Sequence, residues 1–220
     1  MIAMAQAPTI GLILAGGRAR RMGGGDKALR PLAGRPILAH VVERLRGQCD
    51  GLLLSANGDP ARLMAFGLPV VADAVPDFAG PLAGVLAGLD WAAANRPDAG
   101  HLISVAADTP FIPDDLAARL RQAHDAAGLP LACAASAGRR HYAVCLWPVA
   151  LRDDLRRALA AGERRLGRLI EGHGVAVAEW PATPRDPFFN VNTPEDLAEA
   201  ERLAAHSGGG GDQTEPRPLQ

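Results

Sequence analysis

The chain has 220 residues, 48% of them hydrophobic and 21% charged, with a formal net charge of −1. That length fits one domain or a compact pair of lobes, with a core that needs no disulfide or structural metal. The near-neutral charge excludes a sequence-wide basic field for nucleic acid or anionic lipid, and no apolar run reaches the roughly 18 to 20 residues of a membrane helix.

Residues 9–14 read as a short buried strand and 36–46 as a helix with Pro36 near its start. Residues 51–56 form a second strand, 61–66 a short helix, 69–72 a third strand, and 81–95 an Ala- and Leu-rich helix behind Gly80. The fourth strand is 101–106, followed by a helix over 113–127 and strands at 131–135 and 141–147, with Gly138, Arg139 and Arg140 between them. Helices at 149–161 and 164–173 precede a strand at 175–180. The last helix opens on Thr193 as N-cap, Pro194 at its first position, and Glu195 and Asp196 in its first turn. Apolar strands without a polar face, alternating with helices, predict a doubly wound α/β fold: a mostly parallel sheet with helices on both faces. The expected domain is 9–205, after a flexible stretch over 1–8 that lacks the basic start of an export signal. The glycine- and proline-rich tail over 206–220 is expected to be disordered. Cys49, Cys133 and Cys145 are widely spaced and odd in number, which fits free thiols in the cytoplasm better than a disulfide framework or a zinc ribbon.

In such sheets ligands bind beyond the carboxyl ends of the strands, and the unusual residues of this sequence fall there. The first strand runs into LAGGRARRMGGGDK at 14–27, where five glycines sit beside Arg18, Arg20, Arg21 and Lys27. Glycines let backbone N–H groups converge on an anion, and the cations neutralise a polyphosphate. Lys27 is the only lysine among 23 basic side chains, although a lysine-poor composition and a loop of solvated arginines would account for the same pattern. The spacing is neither that of a Walker loop nor G-x-G-x-x-G.

Asp73 follows the third strand and Asp108 the fourth, where a carboxylate can hold Mg2+ against phosphate oxygens; Asp108 is the better metal candidate, and Asp73 also suits a turn. Asp77, in a proline-containing loop, reads as polar packing. Gly80 and Gly84 in GPLAG allow either a ligand or a packed strand to approach the helix start. Asn190 and Asn192 in FFNVNTPED can donate to and accept from a heterocycle or phosphate, and are also turn formers. The six histidines show no ligand spacing, no nucleophile elbow is present, and the aromatic residues are too few for a nucleic-acid stacking platform.

With LAGGRARRMGGGDK, the Asp108 motif, GPLAG and NVNTPEDL in order, the chain resembles molybdenum cofactor guanylyltransferases over about residues 9–203. The resemblance implies a Rossmann-like nucleotidyltransferase fold and transfer of GMP from GTP to the terminal phosphate of molybdenum-molybdopterin, with Mg2+ as cofactor. It implies catalytic roles for Lys27, Arg21 and Asp108, with Asp108 also the metal ligand. Nucleotide contacts would fall on Leu14, Ala15, Gly16, Gly17, Gly24, Lys27, Ser55, Asp73, Gly80, Gly84 and Asp108, and pterin contacts on Asn190 and Asn192. Two positions depart from the family pattern: Ser55 stands where asparagine is frequent, with Asn57 two residues later, and Ala107 where cysteine is frequent. The implied state is a cytoplasmic monomer with transient contacts to molybdenum-inserting proteins and recipient molybdoenzymes, and with no nucleic-acid or membrane partner. Competing readings are a cytidylyltransferase making the cytosine form of the cofactor, a sugar-phosphate or polyol-phosphate nucleotidyltransferase, and a nonenzymatic nucleotide-binding escort.

Overall fold

A computed structural model describes residues 7–16, 26–73 and 80–207. The elements in chain order are β1 (Thr9–Leu14), β2 (Pro31–Leu32), β3 (Arg35–Pro36), α1 (Ile37–Arg46), β4 (Gly51–Ser55), β5 (Val70–Val71), α2 (Pro81–Asn95), β6 (His101–Ala106), α3 (Leu116–Ala127), β7 (Leu131–Ser136), β8 (Arg139–Pro148), α4 (Arg152–Ala160), α5 (Leu166–His173), β9 (Val175–Trp180) and α6 (Pro194–Ser207). A seven-stranded sheet runs in the order β5-β4-β1-β6-β8-β7-β9, and β8 alone runs antiparallel to its neighbours. This is the expected mostly parallel α/β sheet.

Side chains alternate across each strand, so one sheet serves two cores. Ile10 and Leu12 of β1 face α2, α4 and α5, whose Leu82, Val85, Leu155, Leu159, Leu169 and Ile170 complete one cluster. Ile13 joins Leu54, Ile103 and Val105 against α1 and α3 on the other face. A third cluster seats α6 on the β2–β3 hairpin through Leu32, Ile37, Phe111, Val191 and Ala200. β9 closes the sheet as an edge strand, burying Ala176, Ala178 and Trp180 while Glu179 faces water.

Several boundaries differ from the sequence reading. Pro36 ends β3 and caps α1 rather than lying inside it. The segment at Pro60–Phe66 is a 3-10 turn with Asp59 accepting from the Ala61 N–H, and a 3-10 turn at Val149–Leu151 precedes α4, dividing what the pattern joined. The N-terminal signal of α6 holds: Thr193 Oγ1 accepts from the Asp196 N–H at 3.1 Å, and Asp196 Oδ2 accepts from the Thr193 N–H at 2.9 Å, a reciprocal capping box. The tail beyond 207 and residues 1–6 lie outside the described residues.

A bulge on β8 interrupts its ladder with β7. The pairing jumps from Cys133 opposite Cys145 to Ala134 opposite His141, leaving Tyr142, Ala143 and Val144 as extra residues. Ser104 Oγ, which accepts from Trp147 Nε1 at 2.9 Å, donates to the Ala143 carbonyl at 2.9 Å and pins the bulge from within the core.

Candidate active site

The parallel register aligns Leu14, Ser55 and Ala106 at the carboxyl edge of the sheet. Just beyond it, the Ala15 N–H donates to the Ser55 carbonyl at 2.8 Å and the Ala107 N–H to the Leu14 carbonyl at 3.1 Å. A cleft of about 280 Å³ opens above, lined by Leu14, Gly16, Ser55, Asn57, Asp73, Gly80, Pro81, Gly84, Ala106 and Ala143. Six of these are residues that the sequence marked as nucleotide contacts. Ala15 is not among the lining residues; it is buried in the core beneath.

Gly84 has a steric reason. A Cβ there would lie 2.6 Å from Ser55 Oγ and 2.9 Å from Leu14 Cδ2, so only glycine lets the first turn of α2 come down onto β1 and β4. Helix-to-sheet packing therefore accounts for this residue, which also borders the cleft. A Cβ at Gly80, by contrast, would meet nothing within 4 Å among the described residues. At the cleft wall, Asn57 Nδ2 donates to Asp73 Oδ2 at 2.7 Å and the Asp73 N–H donates back to Asn57 Oδ1 at 2.9 Å. The amide uses both ends on one residue and fixes the carboxylate's direction.

A second cluster begins two residues past β6. Lys27 Nζ pairs with Asp108 Oδ2 and donates to Asn192 Oδ1 at 2.8 Å, the Lys27 and Asp108 side chains being only 14% and 16% exposed. Asn190 Nδ2 donates to Asp108 Oδ1 at 2.9 Å and to Thr109 Oγ1 at 3.2 Å, while the Val191 N–H donates to the Asp108 carbonyl at 2.9 Å. Lys27 is delivered by a 3-10 turn at Lys27–Leu29, started by Asp26, whose Oδ1 accepts from the Ala28 N–H at 3.1 Å. Arg62 Nε donates to the other oxygen of Asp26 at 2.7 Å.

The structure thus joins Lys27, Asp108, Asn190 and Asn192, and ties them through 106–108 to the cleft. Gly17, Arg18, Arg20, Arg21, Gly24 and Asp77 lie outside the described residues. Sequence reasoning missed Arg62 and Thr109. Arg62 is one of many arginines and carries no spacing signal; Thr109, buried and accepting from Asn190, could have been found from its place next to Asp108.

Mg2+ takes one or two carboxylates and completes its shell with phosphate oxygens and water. Asp108 offers one carboxylate, but Oδ2 is paired with Lys27 and Oδ1 accepts from Asn190, so the ion could bind only where one of these partners yields. Among the described residues, no group of three or more His, Cys, Asp or Glu forms a metal cage, so substrate phosphates would have to supply part of any such shell.

Solved structures share this architecture. The chain superposes on the molybdopterin-guanine dinucleotide biosynthesis protein A from Archaeoglobus fulgidus with a TM-score of 0.69 and 22% identity, covering 90% of this chain and 99% of that one. It superposes on a CMP:2-keto-3-deoxy-manno-octonic acid synthetase complexed with CTP with a TM-score of 0.71 and 16% identity, covering 91% and 99%. The family model for the MobA-like NTP transferase domain matches residues 11–179, and the class is therefore that of a nucleotidyltransferase. Molybdenum cofactor guanylyltransferases from Bradyrhizobium sp. (strain ORS 278) and Rhodopseudomonas palustris (strain BisB5) are 62% and 59% identical, over 89% of this chain in each case and 92% and 94% of theirs. The chain belongs to the molybdenum cofactor guanylyltransferase family.

Proposed function

We propose that this enzyme transfers GMP from GTP to the terminal phosphate of molybdenum-molybdopterin, releasing pyrophosphate. The carrying observation is the contact of Lys27 with both Asp108, two residues beyond the strand whose end lines the cleft, and Asn192, one of the amides assigned to the pterin. An oxygen of the acceptor phosphate would attack the α-phosphorus of GTP; that P–O bond forms while the bond to the β-phosphate oxygen breaks. The attacking oxygen is already anionic, so no protein base or nucleophile is required, and the work left is alignment and charge neutralisation.

Lys27 supplies a fixed ammonium where negative charge concentrates, and Arg21 is assigned to the departing pyrophosphate. Asp108 would hold Mg2+, which when bound screens the phosphate charges. Asn190 and Asn192 would orient the pterin phosphate against Lys27. Asp73 supports the choice of GTP: an ionised carboxylate only accepts, and guanine presents two adjacent N–H donors on its pairing edge, where cytosine presents one amino donor beside the N3 acceptor. Asn57 holds Asp73 ready for that task.

We assign the enzyme to the cytoplasm as a monomer that meets molybdenum-inserting proteins and recipient molybdoenzymes transiently. A reducing compartment would keep Cys133 and Cys145, opposite each other on β7 and β8, as the free thiols they are. The test is pyrophosphate release with Mg2+ and molybdenum-loaded molybdopterin, offering GTP and CTP in separate reactions. Release with GTP alone is expected. Preference for CTP would move the enzyme to cytidylyl transfer, and silence with both would refute the acceptor.

A further inference from the structure

Besides the contacts of the two asparagines themselves, the loop carrying Asn190 and Asn192 is hydrogen-bonded at two further points. One is the Val191 N–H on the Asp108 carbonyl. The other lies on β8 and β7, inside the edge strand β9, in groups the proposed chemistry does not use. His141 Nε2 lies 2.7 Å from Ser136 Oγ, and Ser136 Oγ donates to Asp186 Oδ1 at 2.8 Å. The same Asp186 oxygen accepts from the Phe188 N–H at 2.9 Å, and the Asp186 carbonyl accepts from the Phe189 N–H at 3.2 Å, so Asp186 shapes the turn that leads directly to Asn190. The His141 ring also packs on Phe188, with centroids 4.8 Å apart, and Phe188 is wedged edge-on against Trp180.

The direction of this relay follows from chemistry. An ionised Asp186 can only accept, so the single hydroxyl proton of Ser136 points to it, and the serine oxygen must then accept from His141. Nε2 therefore carries a proton. Burial pushes the His141 pKa down while the carboxylates of Asp186 and Glu179 pull it up and Arg139 pushes it down, and the neutral Nε2–H tautomer satisfies the relay. The order His–Ser–Asp excludes a nucleophilic serine, whose proton would have to go to the imidazole. An apolar residue at 141 would pack against Phe188 as well; the imidazole adds a directed hydrogen bond from β8 to Ser136 of β7, whose hydroxyl reaches the loop at Asp186.

We propose that His141 is a positioning residue for the acceptor half of the site, acting through Ser136 and Asp186 to hold the loop that presents Asn190 and Asn192 to Lys27 and Asp108. This rests on the assignment of those two asparagines to the pterin phosphate.

The test compares His141→Phe, which keeps a ring against Phe188 but has no N–H, with His141→Gln, which restores a donor. Loss of one hydrogen bond is expected to raise the KM for molybdopterin about tenfold in His141→Phe, with the KM for GTP changed less than about twofold and His141→Gln within about threefold of the unsubstituted enzyme. An unchanged molybdopterin KM in His141→Phe, or an equal rise for both substrates, would overturn the proposal. Amide hydrogen exchange over 186–192 is a second readout, independent of turnover: faster exchange in His141→Phe and its recovery in His141→Gln are expected, and identical exchange in all three would overturn it. If the unsubstituted enzyme transferred nothing to molybdopterin, the function would fail while the exchange data still judged the anchor.

Discussion

The two halves of the site meet at 106–108 and are built in opposite ways. The cleft half rests on strand ends, small residues and one rigid side-chain pair, with Leu14, Ser55 and Ala106 set side by side by the register of parallel strands. The acceptor half rests on side-chain hydrogen bonds between distant segments: Lys27 reaches Asn192 across 165 residues, and Asn190 reaches Asp108 across 82. A backbone-built half should tolerate most side-chain changes except where space is needed. A half built from convergent side chains should fail when one of them is removed.

The largest effect is expected at the seam. Lys27→Ala removes the ammonium shared by Asp108 and Asn192, and turnover should fall about a hundred- to a thousandfold while the melting temperature changes little. Near-normal turnover would erase the distinction between the halves. Gly84→Ala probes the space requirement: a Cβ 2.6 Å from Ser55 Oγ should destabilise the fold by about 1–3 kcal/mol and raise the KM for GTP, read by thermal unfolding and initial rates.

Asp73→Asn sharpens the comparison within the cleft half. Exchanging the acceptor-only group for an amide should weaken GTP about tenfold and narrow the preference over CTP; unchanged discrimination would take base reading away from Asp73. The smallest effect is expected at the thiols. Burial pushes Cys49 up to about 12 and Cys133 up to about 11, and raises Cys145 as well. With folded pKa values above the ordinary thiol value, all three stay protonated at pH 8; a thiol reagent should label the buried Cys133 and Cys145 only after denaturant is added, and the part-exposed Cys49 slowly before it. Rapid labelling of native protein would contradict that burial.

The fold was legible because apolar runs alternate with amphipathic helices along nearly the whole chain. The direction of β8 was not, since hydrophobic periodicity carries no sense of direction; it follows from the two-residue turn at Ala137 and Gly138, both with positive φ. The β2–β3 hairpin has strands of two residues, too short for any alternation to show. In the candidate site, Lys27, Asp73, Asp108, Asn190 and Asn192 could be named from motifs because each lies just past a strand, at a helix start, or in the segment that leads into a capped helix. Their grouping could not, because it depends on how the chain closes. Arg62 on Asp26, and His141 with Ser136 and Asp186, carry no local signature, and the second set depends on a bulge that no residue pattern announces.

The most direct test follows the phosphorus. With Mg2+ and molybdenum-loaded molybdopterin, GTP labelled at the α-phosphate should pass its label to the pterin product, while label at the γ-phosphate should leave as pyrophosphate. Label from the γ-position on the pterin, or α-label recovered only as free GMP, would contradict nucleotidyl transfer across the Lys27–Asp108 seam.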